Sequence, residues 1–412
     1  MTAEATEKAR IGAPSIAGFT EEGEQLVSSK VDHKHNDGTT VMSSRAERLT
    51  SQNVADFALP DGREEEWRFT PVREILPLLE DAANDDAATT VSVEAPEGYL
   101  AAPLSIGQAP RATALVPADR AAVVASANAP EALHVVVPEG AEPTEPVRVL
   151  LSGQGAGKRS NSHIVLEAGA NSKSVVILEH DGSANHNGNV EIFVGEAAEL
   201  TVVSVQLWED DAIHLAQHDA VVAKEGVYKH IAVTLGGKIV RLNSNVRFSG
   251  EQAEAELLGL YFADAGQHLE HRSFVDHNVP NCTSNVLYKG ALQGKGAHTV
   301  WVGDCLIQKQ AVGTDSYEKN QNLVLTDGCR ADSVPNLEIE TGLIAGAGHA
   351  SSTGRFDDEH LFYLMARGIP EDVARRLVVR GFLNEIIQKI KVPALEDRLT
   401  EAVERELSAG EN

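Results

Sequence analysis

The sequence is short of positive charge: 35 Lys and Arg stand against 61 Asp and Glu, a formal net charge of -26. A surface that grips phosphates needs clustered cations, and no basic stripe is present, which excludes nucleic-acid and anionic-membrane partners. Cysteine is scarce as well. Cys282, Cys305 and Cys329 are the only three, with no C-x-x-C pair, which fits a reducing compartment and excludes a disulfide framework. Aromatic residues make up 5% of the chain. A globular α/β enzyme spends more aromatic area on its core, whereas thin stacked layers fill themselves with Val, Ala and Leu. No apolar run nears the roughly 18 residues that cross a bilayer, and the N-terminus has no apolar signal region, so the expected location is cytoplasmic.

Nucleotide and hydrolase motifs are also missing. The Gly-rich stretch at Lys158, GQGAGKRS, lacks the leading glycine of a Walker A motif, so no ATP site is expected. H-E-x-x-H, G-x-S-x-G and a G-x-G-x-x-G following a strand do not occur.

What is present is a long two-residue period. Residues 1–42 are polar without a sustained period and read as a disordered tail. Residues 43–90 read as a small helical region, with SSRAERLTSQNVAD and then REEEWRFTPVREILPLLED separated by the break Leu59-Pro60-Asp61-Gly62. From 91 to 354, segments such as ALHVVVPEG, SVVILEHDG and HIAVTLGGKIVRLNSNVRFSG alternate or run apolar between Gly, Asn and Asp. So many short strands without long helices exceed a sandwich and fit a β-solenoid.

The spacing of the cysteines, 23 and 24 residues, matches a possible rung length and predicts a stacked ladder of buried thiols in place of a metal cluster. His268 and His271 on one strand point to opposite faces and make poor co-ligands, and His277 nearby reads as solvated or core-satisfied.

The architecture changes between Asp332 and Pro370. Small and β-branched residues with Gly342, Gly346 and Gly348 give way, after Gly354, to a helix start at Asp357, Asp358 and Glu359. Residues 355–412 then read as helical. Leu361, Phe362 and Met365 begin an apolar stripe that continues through Leu377, Phe382 and Ile386 to Ile390. Its width demands burial, on the solenoid or on a partner. His349 lies just before this seam, among glycines and hydroxyl residues. An imidazole suits iron, zinc or copper, but a single one needs companions, which another chain would supply.

PNLEI, GHASSTGRFDDEHLFYLMARGI and ARRLVVRGFLNEI closely resemble the C-terminal signature of the SufD members of the SufB/SufD family, components of the Suf iron–sulfur cluster assembly system. HLEHRSFVDHNVPNCTSN and NQNLVLTDGCRADSVPNLEI resemble the family core, and EEEWRFTPV its N-terminal Trp-containing motif, so the likeness spans about residues 45 to 392. It implies a right-handed parallel β-helix flanked by small helical regions. It also implies a heterodimer with SufB through the β-helix, and binding of the ATPase SufC through the C-terminal helices, with ATP chemistry left to SufC. A homodimer of the isolated chain stays open. The Glu-His-Glu-Ala run and cysteine typical of SufB are absent.

By the same resemblance, His349 matches a histidine that faces SufB where a nascent, transient Fe–S cluster is thought to form. Many SufD members carry a cysteine two residues earlier, where this chain has Ala347. The expected function is a non-ATPase, non-enzymatic scaffold. The alternatives are a structural adaptor without iron contact, or a β-helix enzyme acting on polysaccharide, which the missing secretion signal disfavours.

Overall fold

Side chains that alternate in and out along ten-residue strands can bury one row only if further strands stack above and below. The structure, a computed structural model, builds such a stack. It describes residues 44, 47–355 and 358–409, apart from the side chains of 358–361, 372 and 409. Residues 1–42, the expected tail, lie outside the described residues.

Two long strands, β4 (Val147–Ala168) and β5 (Lys173–Val194), each run first through one sheet and then through the other, with a register break between Gln154 and Arg159. We call the sheets A and B. Sheet A continues through β6 (Glu199–Trp208), β8 (Val227–Thr234), β10 (Glu254–Ala263), β12 (Thr283–Leu292), β14 (Asp315–Val324) and β16 (Gly346–Arg355). Sheet B continues through β7 (Ile213–Val222), β9 (Ile239–Phe248), β11 (His268–His277), β13 (His298–Ile307) and β15 (Arg330–Ile339). Neighbours in each sheet are parallel, giving a solenoid of about eight turns.

Rung length varies along the stack, from 26 residues where Glu199 lies over Lys173 to 32 where Asp315 lies over Thr283. The turn leading into sheet A repeats one device. Asn171, Ala197, Glu225, Gln252, Asn281 and Gly313 all have positive φ, each two residues before its sheet-A strand. The left-handed conformation aims their amides along the stack, as Asn171 N–H to Glu196 O and Gly313 N–H to Leu343 O show. Only one of the six is glycine, so the ladder of bonds sustains a conformation that L side chains ordinarily avoid.

This rung length overturns the cysteine ladder. Cys305 stands on β13 in line with Val275 and Leu337, whereas Cys282 and Cys329 sit in turns before β12 and β15. Their thiols go separately to Gly250 O, Ser316 Oγ and Gly294 O. A spacing of 23 or 24 falls short of every rung here, so the three cannot stack.

The alternation separates three apolar layers. Val176, Leu178, Val202 and Leu257 point inside. Ile177, Val203, Ile231 and Leu258 point out of sheet A, beneath the C-terminal helices. Ile213, Leu215 and Ile239 point out of sheet B beneath Trp67, Ile75 and Leu79 of the N-terminal region.

That N-terminal region differs from expectation in two ways. Described residues of 43–56 contain no helix longer than the 3-10 turn Val54–Asp56, and α1 is Val72–Leu79. The parallel stack starts later than residue 91, at β3 (Glu131–Val137). Before it come β1 (Thr89–Glu94) and β2 (Leu100–Ser105), both antiparallel to their partners, and α2 (Arg120–Asn128). Helix α2 is Ala-rich with Ala121 to Ala125 all buried, so it shows no amphipathic period, and Asp119 caps it by accepting from Ala122 N–H at 2.9 Å. After β16 follow α3 (Asp358–Met365), α4 (Glu371–Ile387) and α5 (Pro393–Ala409).

Candidate functional site

The two ends of the solenoid are finished differently. At the N-terminal end, β1 covers β4 and β2 covers β3, with Pro103 in β2 removing a donor from the outer edge. At the other end, β15 and β16 each pair on one side only, and no described strand covers them. The sequence of β16, GAGHASSTGR, contains no proline to blunt that edge, and its one ordinarily charged residue, Arg355, stands at the strand's end, exposed and paired with Asp327 at 3.0 Å.

His349 lies on this open edge and is exposed. Its register partner on β14 is Glu318, and below that come Val286 on β12 and Leu257 on β10. In-register parallel neighbours point to the same side, so His349 continues an inward-pointing row and stands at the mouth of the solenoid interior. Ser351 and Thr353 follow on the same side. Ser351 Oγ donates to Ser333 Oγ of β15 at 2.8 Å, joining the two sheets across the mouth. Gly348 faces outward, where a Cβ would come 3.3 Å from the Tyr317 ring.

Beneath the mouth the interior turns polar. Asn320, Asn322 and Tyr261 form one network, with Tyr261 donating to Asn322 Oδ1 at 2.8 Å and Asn320 Nδ2 donating to the Tyr261 hydroxyl at 2.8 Å. Glu318 is only 1% exposed, and among the described residues neither carboxylate oxygen has a hydrogen-bond partner. Burial, with the nearby Asp304 charge, pushes its pKa up to about 8. Burial likewise pushes the Cys305 thiol up to about 12, so it is not a ready thiolate. Ala347 offers no ligand beside His349.

A second cluster lies deep in the early rungs. His186 and His214 are register partners, and with His180 they place one nitrogen each within 4.8 Å of one another. Trp208 Nε1–H donates to His214 Nδ1 at 3.1 Å, which leaves the proton of a neutral His214 on Nε2 and takes that nitrogen from the ligand set. All three rings are buried, and burial pushes His180 down to about 4 and His186 to about 3. They are neutral aromatic filling. His268 and His271 do point to opposite faces: His268 meets Glu270 at 3.2 Å, while His271 stacks on Tyr261 inside. His277 is also inside, bonded to Ser284.

The C-terminal stripe divides into two faces. Val379, Leu383, Ile386, Ile387 and Ile390 join α5 residues against the outside of sheet A. Ile386 is 0% exposed and belongs to the chain's own core, which corrects its expected place on a partner surface. Phe382 is half-buried under Lys289, whose Nζ lies 4.6 Å from the ring centroid. Phe362 (74% exposed), Met365 and Leu377 (39%) are exposed, as are Tyr363 and Val373. The side chain of Leu361 lies outside the described residues.

Reasoning on the sequence alone missed Glu318. No motif surrounds it, and its relation to His349 exists only through a rung offset of 31 residues.

Known proteins bear on this arrangement. A family model described as SUF system FeS cluster assembly, SufBD core domain, matches residues 150–382. An iron–sulfur cluster assembly SufBD family protein of Mycobacterium bovis is 49% identical over 378 residues, covering 90% of this chain and 95% of the relative. One from Mycobacterium leprae is 48% identical over 383 residues, covering 91% and 98%. The iron–sulfur cluster assembly protein SufD of Escherichia coli is 26% identical over 288 residues, 67% of each chain. A matched core domain, relatives of nearly full length and a parallel solenoid agree: the chain belongs to the SufBD family of iron–sulfur cluster assembly proteins and is SufD-like within it.

Proposed function

We propose that this chain is a scaffold subunit that helps form a nascent iron–sulfur cluster at an interface with a homologous SufB. The observation that carries the reading is the exposed imidazole of His349 on an uncovered solenoid edge. Unpaired strand edges favour continuation by another strand, so a second solenoid end is the natural occupant. His349 would then meet ligands from that partner. The cluster is cargo here: imidazole binds iron, but one nitrogen cannot hold a cluster alone.

The exposed apolar face of Phe362, Met365 and Leu377 would dock the SufC ATPase, since a soluble chain seldom leaves such a patch bare. ATP binding would belong to SufC, in keeping with the missing Walker A motif. Pairing of two SufC copies would then shift the solenoids and open the seam. Crosslink yields across the seam that are indifferent to ATP would remove that motion from the account. The expected location is the cytoplasm, and among the described residues no helix is long and apolar enough to cross a membrane.

The deciding experiment is anaerobic co-expression with SufB and SufC, followed by size-exclusion chromatography and visible absorbance. His349→Ala should keep the complex and lose the cluster band. Full absorbance in that variant would leave the chain a structural adaptor without iron contact. Family membership leaves the polysaccharide-enzyme reading without support.

A further inference from the structure

Buried polar atoms are almost always paired, and an unpaired carboxyl in a native interior needs a reason. Glu318 is such a group: 1% exposed, with both oxygens unpartnered among the described residues, on the last fully covered rung of sheet A. Its surroundings do not fill the gap. Trp301 packs beside it, and Gly303 leaves the room for this, since a Cβ there would lie 2.3 Å from Trp301 and 3.1 Å from Glu318 Oε2. The Trp301 Nε1–H also lacks a partner among the described residues. Ser316 is bonded to Cys305 and Ser284, and Asn320 to Tyr261, so neither neighbour on β14 turns to the carboxylate.

The group directly above Glu318 in register is His349. Adjacent strands are about 4.8 Å apart, and both side chains extend toward the same side. Arms of this length can converge on one ion with nitrogen and oxygen ligands at about 2.0–2.2 Å. We infer that Glu318 and His349 together form a divalent transition-metal site in the mouth of the solenoid, with one carboxylate and one imidazole ligand and water completing the shell. Carboxylate and imidazole suit ferrous iron, manganese or cobalt better than a soft monovalent metal. Ligation uses the ionised carboxylate and gives its oxygens the partner they lack. This rests on His349 being a metal contact and adds to that reading a ligand from within this chain, where Ala347 supplies none.

The test is cobalt(II) binding to the isolated full chain, read by visible absorbance and by calorimetry. The variants are Glu318→Gln, His349→Ala and, as control, Ser352→Ala on the outward row of β16. Gln has the shape of a neutral Glu, so folding is kept, and an unchanged melting temperature checks this. One cobalt per chain should bind. Glu318→Gln and His349→Ala should each weaken it at least about tenfold, roughly 1.4 kcal/mol, and the control should not. Wild-type affinity in Glu318→Gln with loss in His349→Ala overturns the carboxylate assignment and leaves His349 a ligand. Unchanged binding in both variants, or none in the wild type, overturns the site; the role of His349 in the assembled complex is then decided by the cluster band alone.

Discussion

Lys289, on the outer row of β12, forms an ion pair with Glu385 of α4 and also donates to the Phe382 carbonyl at 3.3 Å. A cation in the solenoid wall thus fixes the rotation of α4, and with it which side chains of the stripe face outward. Replacing Lys289 by Met should cost about 1–2 kcal/mol, combining a partly exposed ion pair with a cation–π contact. Hydrogen exchange should quicken in α4 and leave sheet B unchanged; equal protection in both proteins would show that apolar packing alone holds the helix.

The two faces of the stripe should respond differently to substitution. Phe362→Asp with Leu377→Asp places charges on exposed positions, so the melting temperature should stay within a few degrees while co-purification with SufC is lost. Ile386→Ala removes a fully buried side chain and should cost about 2–5 kcal/mol whether or not SufC is present. Retained SufC binding in the double variant would mean that SufC docks elsewhere.

Arg241 holds the N-terminal region on sheet B. Its guanidinium meets Asp119, Glu270 at 3.3 Å and Glu66 at 3.1 Å, with the Trp67 ring 4.2 Å away. Burial pushes the Glu270 carboxyl up, but the hydrogen bond from His268 and the charges of Arg241 and Arg272 hold it well below the usual range. Arg241→Met would leave Asp119 and Glu270 buried without that cation, at a cost of about 3–5 kcal/mol. Urea unfolding should register the loss in its midpoint, and a shift under about 1 kcal/mol would contradict the assignment.

The interior imidazoles predict acid sensitivity. Burial pushes His180, His230 and His277 down to about 4, and His186 and His271 to about 3. In the unfolded chain they protonate near 6.5, so between 6.5 and 4 the unfolded state binds more protons. Stability is therefore full above pH 6.5 and falls with pH by about 1.4 kcal/mol per unit for each ring. Five rings acting together would exhaust a typical 5–15 kcal/mol within about two units. The urea midpoint should drop steeply from pH 7 to 5.5; a flat profile would show that these rings are hydrated or paired in the folded chain.

The solenoid was legible because a period of two, repeated between Gly, Asn and Asp, has few other ways to bury itself. The seam at His349 was legible because small residues give way shortly after it to a helix. Rung length was not, since the evenly spaced cysteines lie on a strand and in two different turns. Helix α2 stayed hidden because it is buried on most sides and has no polar face. Glu318 stayed hidden because its meaning comes from register, which spacing along the chain does not reveal. The stripe was visible as one surface, and only packing against sheet A showed that Ile386 belongs inside and Leu377 outside.

The open edge carrying His349 is proposed to meet a homologous solenoid. The most direct measurement places a photo-crosslinking residue at Thr353, on the same row of the β16 edge as His349, in the assembled complex with SufB and SufC, and identifies the adduct by mass spectrometry. A crosslink to SufB and none to SufC is expected. An intact complex that crosslinks only to SufC, or not at all, would contradict it.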